Sequence, residues 1–560
     1  MTAILFAAAL AADPFVPFAA VSDAECLPRG AMLSVANDGT FRVNGKPRYL
    51  TATLYYGSLA KEFALPTSGY PLSLKWLYED VPGYEEMQRI GIDAAGFEAG
   101  REWMRKISPT AASNSVMDDC LPGYSRFDAA FADQLPAYVD FTPAPWGHGG
   151  LTPKRNPQLP REAWTDGENH WVPYSIFHPE GRRLWLTMWE EGVKRYRDLP
   201  VPPWCYELMN EPSIHDTGAY AKAKFRASGR TDDDIEFLKF TEEAYLDLIK
   251  EGVRRIHDLQ PGARVTVQPV NTRAKGVDLY RLYRSLDVVC SPTGGGGLVG
   301  AHLLRACADG KPIVDGETYV GRSMRSVRNS LIMQFARGFN ASYTFKWSRR
   351  PQDWARGGNA AEEEPLAKKL DGYYFLNPYV VPTDALVGFR LAKRDAMDVV
   401  DLFGPRDRQS PRRVAVLYSK PTERLCSVNP KYNSSLLFDK VVTELDFAHL
   451  NPDVIFEEQL RDDPKRLDRY PVLFAAGIAA AYPSTPAALN AWQKRGGKLV
   501  IVGGGLDADE RGRPNGATYP GAVRVASPGS ARMSLASGLP MSHGVRGFCR
   551  FARRVMRKRS

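Results

Sequence analysis

Between residues 49 and 348 short apolar runs alternate with helix-periodic stretches, and the alternation passes through eight strand-like units. The first opens at Tyr49; the others are GIDAAGF (91–97), LPAYVDFTPA (135–144), WCYELMNEP (204–212), ARVTVQPV (263–270), LDVVCSPT (286–293), KPIVDGETY (311–319) and NASYTFKWS (340–348). Between them, residues 80–90, 180–199 and 235–259 place apolar side chains at helical spacing. Strands joined through helices re-enter a sheet from the same end, so they pair in parallel. Eight such units predict a closed (β/α)8 TIM barrel over residues 38–380 rather than an open sheet. At its entrance, Asn44-Gly45 predicts a tight hairpin, because both central residues of that turn need positive φ.

A second α/β pattern follows. RRVAVLYS (412–419), YPVLFAAG (470–477) and GGKLVIVGGG (496–505) read as buried strands, with a helix at 486–496. They predict a smaller domain of flavodoxin or glutamine-amidotransferase type over 411–520, joined to the barrel by a helix (383–404) within 381–410. An amidotransferase needs a reactive cysteine at a strand-to-helix elbow, and LFAAGIAA holds none. GGKLVIVGGGLDADE does not match a dinucleotide fingerprint either. A structural role is therefore expected for this domain.

Charge and cysteine usage narrow the classes further. The net charge of +9 suggests a polyanion partner, but six of those charges lie in the last eleven residues, RFARRVMRKRS. That tail, part of an irregular segment 521–560, reads as a solvated end, so no nucleic-acid partner is expected. No apolar run reaches the roughly 18 residues of a membrane span. The seven cysteines form no CxxC pair and the eight histidines no HExxH, so neither a metal nor another cofactor is called for. The first 37 residues start MTAILFAAALAADPF, a short apolar core without a positive flank. A signal peptide, which would make the protein secreted or periplasmic, and a misplaced start codon on a cytoplasmic protein both fit.

Reactive groups of a (β/α)8 barrel gather where its strands end. Two predicted strands end on glutamate: Glu211 after the fourth and Glu317 on the seventh. Far apart in sequence, they come near one another only across the barrel mouth. Carboxyls about 5 Å apart suit a retaining glycosidase. Two such groups cannot both ionise cheaply, so one keeps a proton to donate while the other attacks. Each signal also has a plain reading, as dipole compensation near a helix start or an ordinary surface acid. It is their joint placement that favours chemistry.

The Asn210-Glu211-Pro212 triplet after an apolar strand resembles the clan A glycoside hydrolases. That resemblance implies Glu211 as acid/base, Glu317 in IVDGETY as nucleophile, Asn210 as a ligand of the sugar 2-hydroxyl, and Trp347 in YTFKWS as a stacking platform. A barrel followed by an amidotransferase-like domain is similar to the family 42 β-galactosidases. It implies a carbohydrate substrate, a β-glycosidic linkage and a homo-oligomer formed through the second domain. The chain departs from the clan pattern at Gly96, where many members carry arginine, and in CSPTGGGG, which lacks the histidine or tyrosine often found there. Tyr319 and His215 flank the two glutamates as further substrate-site candidates. Trp146 opens a long aromatic loop reaching Tyr174, which reads equally as a substrate lid or a packed cover. A catalytically silent sugar-binding barrel and an assembly protein are the competing functional readings.

Overall fold

The computed structural model describes residues 33–54, 94–98, 137–141, 160–167, 169, 172–198, 202–290, 297–319, 323–345, 384–401, 414–429 and 435–526. Three short antiparallel strands come first: β1 (Leu33–Val35), β2 (Phe41–Val43) and β3 (Lys46–Pro47). Asn44 and Gly45 turn the last two at φ 49° and 81°, the left-handed pair their sequence predicts.

The barrel strands come next as β4 (Leu50–Leu54), β5 (Ala94–Glu98), β6 (Ala137–Asp140), β7 (Cys205–Asn210), β8 (Val265–Gln268), β9 (Val289–Cys290), β10 (Ile313–Tyr319) and β11 (Ala341–Phe345). They pair in the order β8-β7-β6-β5-β4-β11-β10-β9, every pair parallel. The two ends of that order meet. Asp287 N–H donates to the Val265 carbonyl at 3.0 Å, and Thr266 Oγ1 to the Val288 carbonyl at 2.9 Å. The sheet therefore closes on itself between β8 and β9, as eight alternating units predict.

Helices α1 (Pro179–Tyr196), α2 (Ala219–Ala227), α3 (Asp234–Leu259), α4 (Leu279–Arg284), α5 (Gly297–Ala308), α6 (Met324–Ala336) and α7 (Asp384–Met397) accompany the strands. Their starts are written locally. Asp233 caps α3 by accepting from Glu236 N–H at 2.8 Å, and Ser323 with Ser326 forms a capping box on α6. The apolar stripe of α1 buries Trp185 and Trp189, and Trp189 Nε1 donates to the Leu208 carbonyl of β7 at 2.9 Å. This bond ties a covering helix to the strand that leads into Glu211. Among the described residues no helix is long and apolar enough to cross a membrane.

A second sheet contains β12 (Val414–Tyr418), β13 (Asp453–Phe456), β14 (Val472–Ile478), β15 (Lys498–Gly505) and β16 (Val523–Val525), in the order β13-β12-β14-β15-β16 and all parallel. This is the doubly wound order of flavodoxin-like folds. Two of its strands are not legible as a pattern. β13 has only four residues, and the three-residue edge strand β16 exposes Val523 and Arg524, beyond residue 520 where the periodicity fades. Short strands carry too few alternations to register. Helices α8 (Lys420–Val428), α9 (Ser435–Phe447), α10 (Glu457–Asp462) and α11 (Thr485–Lys494) cover this sheet.

In open α/β sheets the crevice at the strand carboxyl ends is where ligands bind. Here it is filled from within the chain. Arg424 of α8 grips Glu242 of α3 through Nε at 2.8 Å and Nη2 at 2.6 Å, and Lys420 adds a contact to Glu242 at 3.1 Å. Burial opposes the Glu242 charge, but Lys420 and Arg424 outweigh it and hold the carboxyl below its ordinary range. Arg305 of α5 reaches the Pro452 carbonyl at 2.8 Å, extending the same interface.

Two acids in this crevice behave differently. Glu457 is fully buried, accepts from Tyr482 N–H at 2.8 Å, and is also bonded by Thr485 Oγ1. Burial, which outweighs these bonds, pushes its carboxyl up to about 7. Burial, with the charges of Asp278 and Glu457, also raises Glu458. Both bind protons more tightly when folded than unfolded. The stability they contribute is complete below the ordinary value of 4.5 and is lost as pH rises through about 7 for Glu457 and about 8 for Glu458. Denaturant midpoints should therefore fall between pH about 5 and 8, and Glu457→Gln should flatten that fall. A wild-type midpoint that is level across the window would refute the assignment.

Candidate active site

β7 is buried along CYELM, as a parallel barrel strand covered on both faces must be, and it surfaces at Asn210. Its register against β8 slips between Glu207 and Asn210. Glu211 comes next at φ 48°, a left-handed conformation that costs a non-glycine residue on the order of 1–3 kcal/mol. It is held there by its own N–H, which donates to the Gln268 carbonyl at 2.5 Å, and the buried Pro212 follows it. The proline stops the strand, and the bulge re-aims the glutamate between them.

Glu317 sits in a similar setting. The pairing of β10 with β11 slips between Asp315 and Thr318, so each candidate glutamate lies beside a register shift. Glu317 is only 5% exposed, and its N–H donates to Asp315 Oδ1 at 3.2 Å. Asp315 is itself fully buried and accepts from Gln334 Nε2 of α6 at 2.6 Å. Gln334 also accepts from Ser342 Oγ of β11, which lies 2.6 Å from Tyr49 OH. A buried polar chain through α6, β11 and the start of β4 thus holds the strand-seven backbone.

One side chain connects the two halves. Gln268, the last residue of β8, donates through Nε2 to Asn210 Oδ1 at 2.6 Å and to Glu317 Oε2 at 3.4 Å. Its Oε1 accepts from Cys290 Sγ of β9 at 3.4 Å. Burial pushes the Cys290 thiol up, so it remains a donor rather than a thiolate. Beneath this layer Tyr138 OH donates to Glu207 Oε2, and burial, followed by Cys290 and Glu207, holds the phenol well above its usual range. Gln268 closes the apolar run ARVTVQ as its one amide. The sequence motifs do not single it out; a polar residue at a barrel strand's carboxyl end is the one signal that points to it.

The structure brings Asn210 and Glu317 to one amide, with Glu211 next in chain. His215 lies in the loop after β7. Its backbone N–H donates to Asn169 Oδ1 at 2.9 Å, and its ring stands edge-on to Phe237 at 6.1 Å. Buried Asp216 ties the same loop to the aromatic segment, accepting from Asp166 N–H at 3.1 Å and Ser175 Oγ at 2.7 Å. Within that segment Trp164 and Tyr174 are buried and pair across an isolated bridge, so this part is a packed cover. Trp146 and Trp347 lie outside the described residues, as does the Tyr319 side chain; the Tyr319 backbone ends β10. Among the described residues no three His, Cys, Asp or Glu side chains group to hold a metal ion.

No protein-family model and no curated protein matches this sequence. Solved structures do match. An exo-carrageenase of family 42 from Bacteroides ovatus aligns over 95% of this chain and 74% of its own, with TM-score 0.60 and 13% identity. A β-galactosidase from Bacillus circulans sp. alkalophilus aligns over 85% of this chain and 74% of its own, with TM-score 0.63 and 14% identity. A family 42 β-galactosidase from G. stearothermophilus aligns over 88% and 75%, with TM-score 0.62 and 13% identity. The chain has the family 42 fold. At these identities the likeness is one of architecture: a barrel, then a second α/β domain, as the resemblance in the sequence implied. The family 42 fold puts no side chain in a role here, so the chemistry rests on this chain's own residues.

Proposed function

We propose that this protein is a retaining glycoside hydrolase that cleaves a β-glycosidic bond, with Glu317 as nucleophile and Glu211 as acid/base. The observation that carries the reading is the Gln268 amide shared between Asn210, the neighbour of Glu211, and Glu317. It draws the carboxyl ends of β7 and β10 toward one point at the barrel mouth. Glu317 attacks the anomeric carbon while Glu211 protonates the departing oxygen. Esterification then removes the nucleophile's charge, which lowers the affinity of Glu211 for its proton and turns it into the base that activates water. Asn210 binds the sugar 2-hydroxyl, with Trp347, Tyr319, His215 and Trp146 proposed around the sugar. A β-galactoside is the first substrate to test.

Incubation with a slow 2-deoxy-2-fluoro aryl β-glycoside should label the peptide that contains Glu317. A label on another carboxylate would displace the assignment. Glu211→Ala supplies a second test. An aryl leaving group that needs little protonation should still depart, while alkyl glycosides should lose about 10²–10⁴-fold in kcat/KM. Azide should restore turnover by attacking the trapped intermediate, giving a glycosyl azide of retained configuration. One feature favours a catalytically silent sugar-binding barrel: β5 runs AAGFE, without the arginine of many clan A members. Sugar binding with no label and no turnover would establish that alternative.

A further inference from the structure

We infer that Gln268 is a positioning residue that holds Glu317 ionised and pinned for attack; the inference rests on the hydrolase reading above. The hydrogen bonds settle which way its amide points. Asn210 Oδ1 can only accept, so the group 2.6 Å from it is the Gln268 NH2, and Oε1 faces the Cys290 thiol at 3.4 Å. What Gln268 presents to Glu317 Oε2, at 3.4 Å, is therefore a donor. A donor favours the carboxylate over the acid and holds one of its oxygens, leaving the other to form the ester bond. The same bond turns Asn210 so that its Oδ1 faces Gln268 and its NH2 points away from it, giving the proposed 2-hydroxyl ligand a donor's role.

Gln268 reaches Glu317 by crossing β9, which lies between β8 and β10 around the barrel and has only two residues. The crossing needs room on β10. A Cβ on Gly316 would lie 1.7 Å from Gln268 Oε1 and 2.5 Å from Cys290 Sγ, so a side chain at 316 cannot coexist with the amide in this position. Strand six carries no histidine or tyrosine; among its described residues, Cys290 turns its thiol to the Gln268 amide. Gln268 thus supplies a donor to Glu317 from strand five.

The test compares wild type with Gln268→Met, which keeps the length and removes the donors, and Gln268→Glu, which sets a carboxylate beside Glu317. Neighbouring ionisable groups, among them Asp315, Cys290, Glu207, Glu211 and Tyr138, are the same in all three proteins. Gln268→Met should lower kcat/KM roughly 10- to 100-fold, as loss of a hydrogen bond to a charged group does, mainly through kcat. Its acidic limb should move up by about one pH unit, because an unsupported carboxylate holds its proton longer. Gln268→Glu should move that limb further, and it carries the measurement if the methionine variant does not fold. A folded variant whose limb stays in place, whatever its rate, overturns the inference; if wild type is labelled at Glu317, the hydrolase reading survives. A wild type that takes no label and turns over no glycoside ends both.

Discussion

Replacing Glu317 with glutamine should cut turnover of an aryl β-glycoside on the order of 10⁴-fold or more, the scale seen when a covalent nucleophile is removed. The amide matches the carboxylate in shape, so substrate binding and KM should hardly change. It lacks the charge that attacks the anomeric carbon and stabilises the developing oxocarbenium ion. Glu317→Ala sharpens the test by opening space on that face. Azide entering there should give a glycosyl azide of inverted configuration, opposite to the product expected from Glu211→Ala. The two products separate the roles of the glutamates without assuming either. Turnover within tenfold of wild type for Glu317→Gln would remove it from the reaction.

Glu242→Ala should destabilise the folded chain by about 3–5 kcal/mol, because it leaves Lys420 and Arg424 buried without their shared carboxylate. Denaturant unfolding would measure it. Exchanging Glu242 and Arg424 together for apolar residues of similar volume should recover part of the loss, since the pair's desolvation cost goes with it. The acid side carries a signature as well. Glu242 is held below its ordinary range, so its contribution is present above the usual carboxylate pKa and fades as pH falls through the depressed folded value. The alanine variant should lose that part of the acid dependence. A loss under 1 kcal/mol would mean the second sheet is not anchored through this group.

Elements with many alternations are legible in the chain. Residues 235–259 announce α3 within a residue, and eight apolar runs announce the barrel, because period and spacing are local properties that sequence writes directly. β13 and β16 are not legible, being too short to show a period. At the site, Glu211 and Glu317 can be singled out because each lies at or near the carboxyl end of an apolar strand, and Pro212 marks where the first must stop.

Gln268 cannot be singled out in the same way. Nothing local separates an amide at a strand end from an ordinary surface glutamine; its meaning arises because closing the barrel sets β8, β9 and β10 side by side and Gly316 leaves a gap for it. The same holds for Glu242, one of several acids along α3 until the second sheet lays Lys420 and Arg424 against it. The sequence by itself determined the longer strands and helices and marked the two glutamates, since those come from the chemistry of neighbouring residues. Only the tertiary structure decided which polar groups 49 or 182 positions apart share a hydrogen bond, because that depends on how a closed sheet and its packed neighbour bring distant segments together.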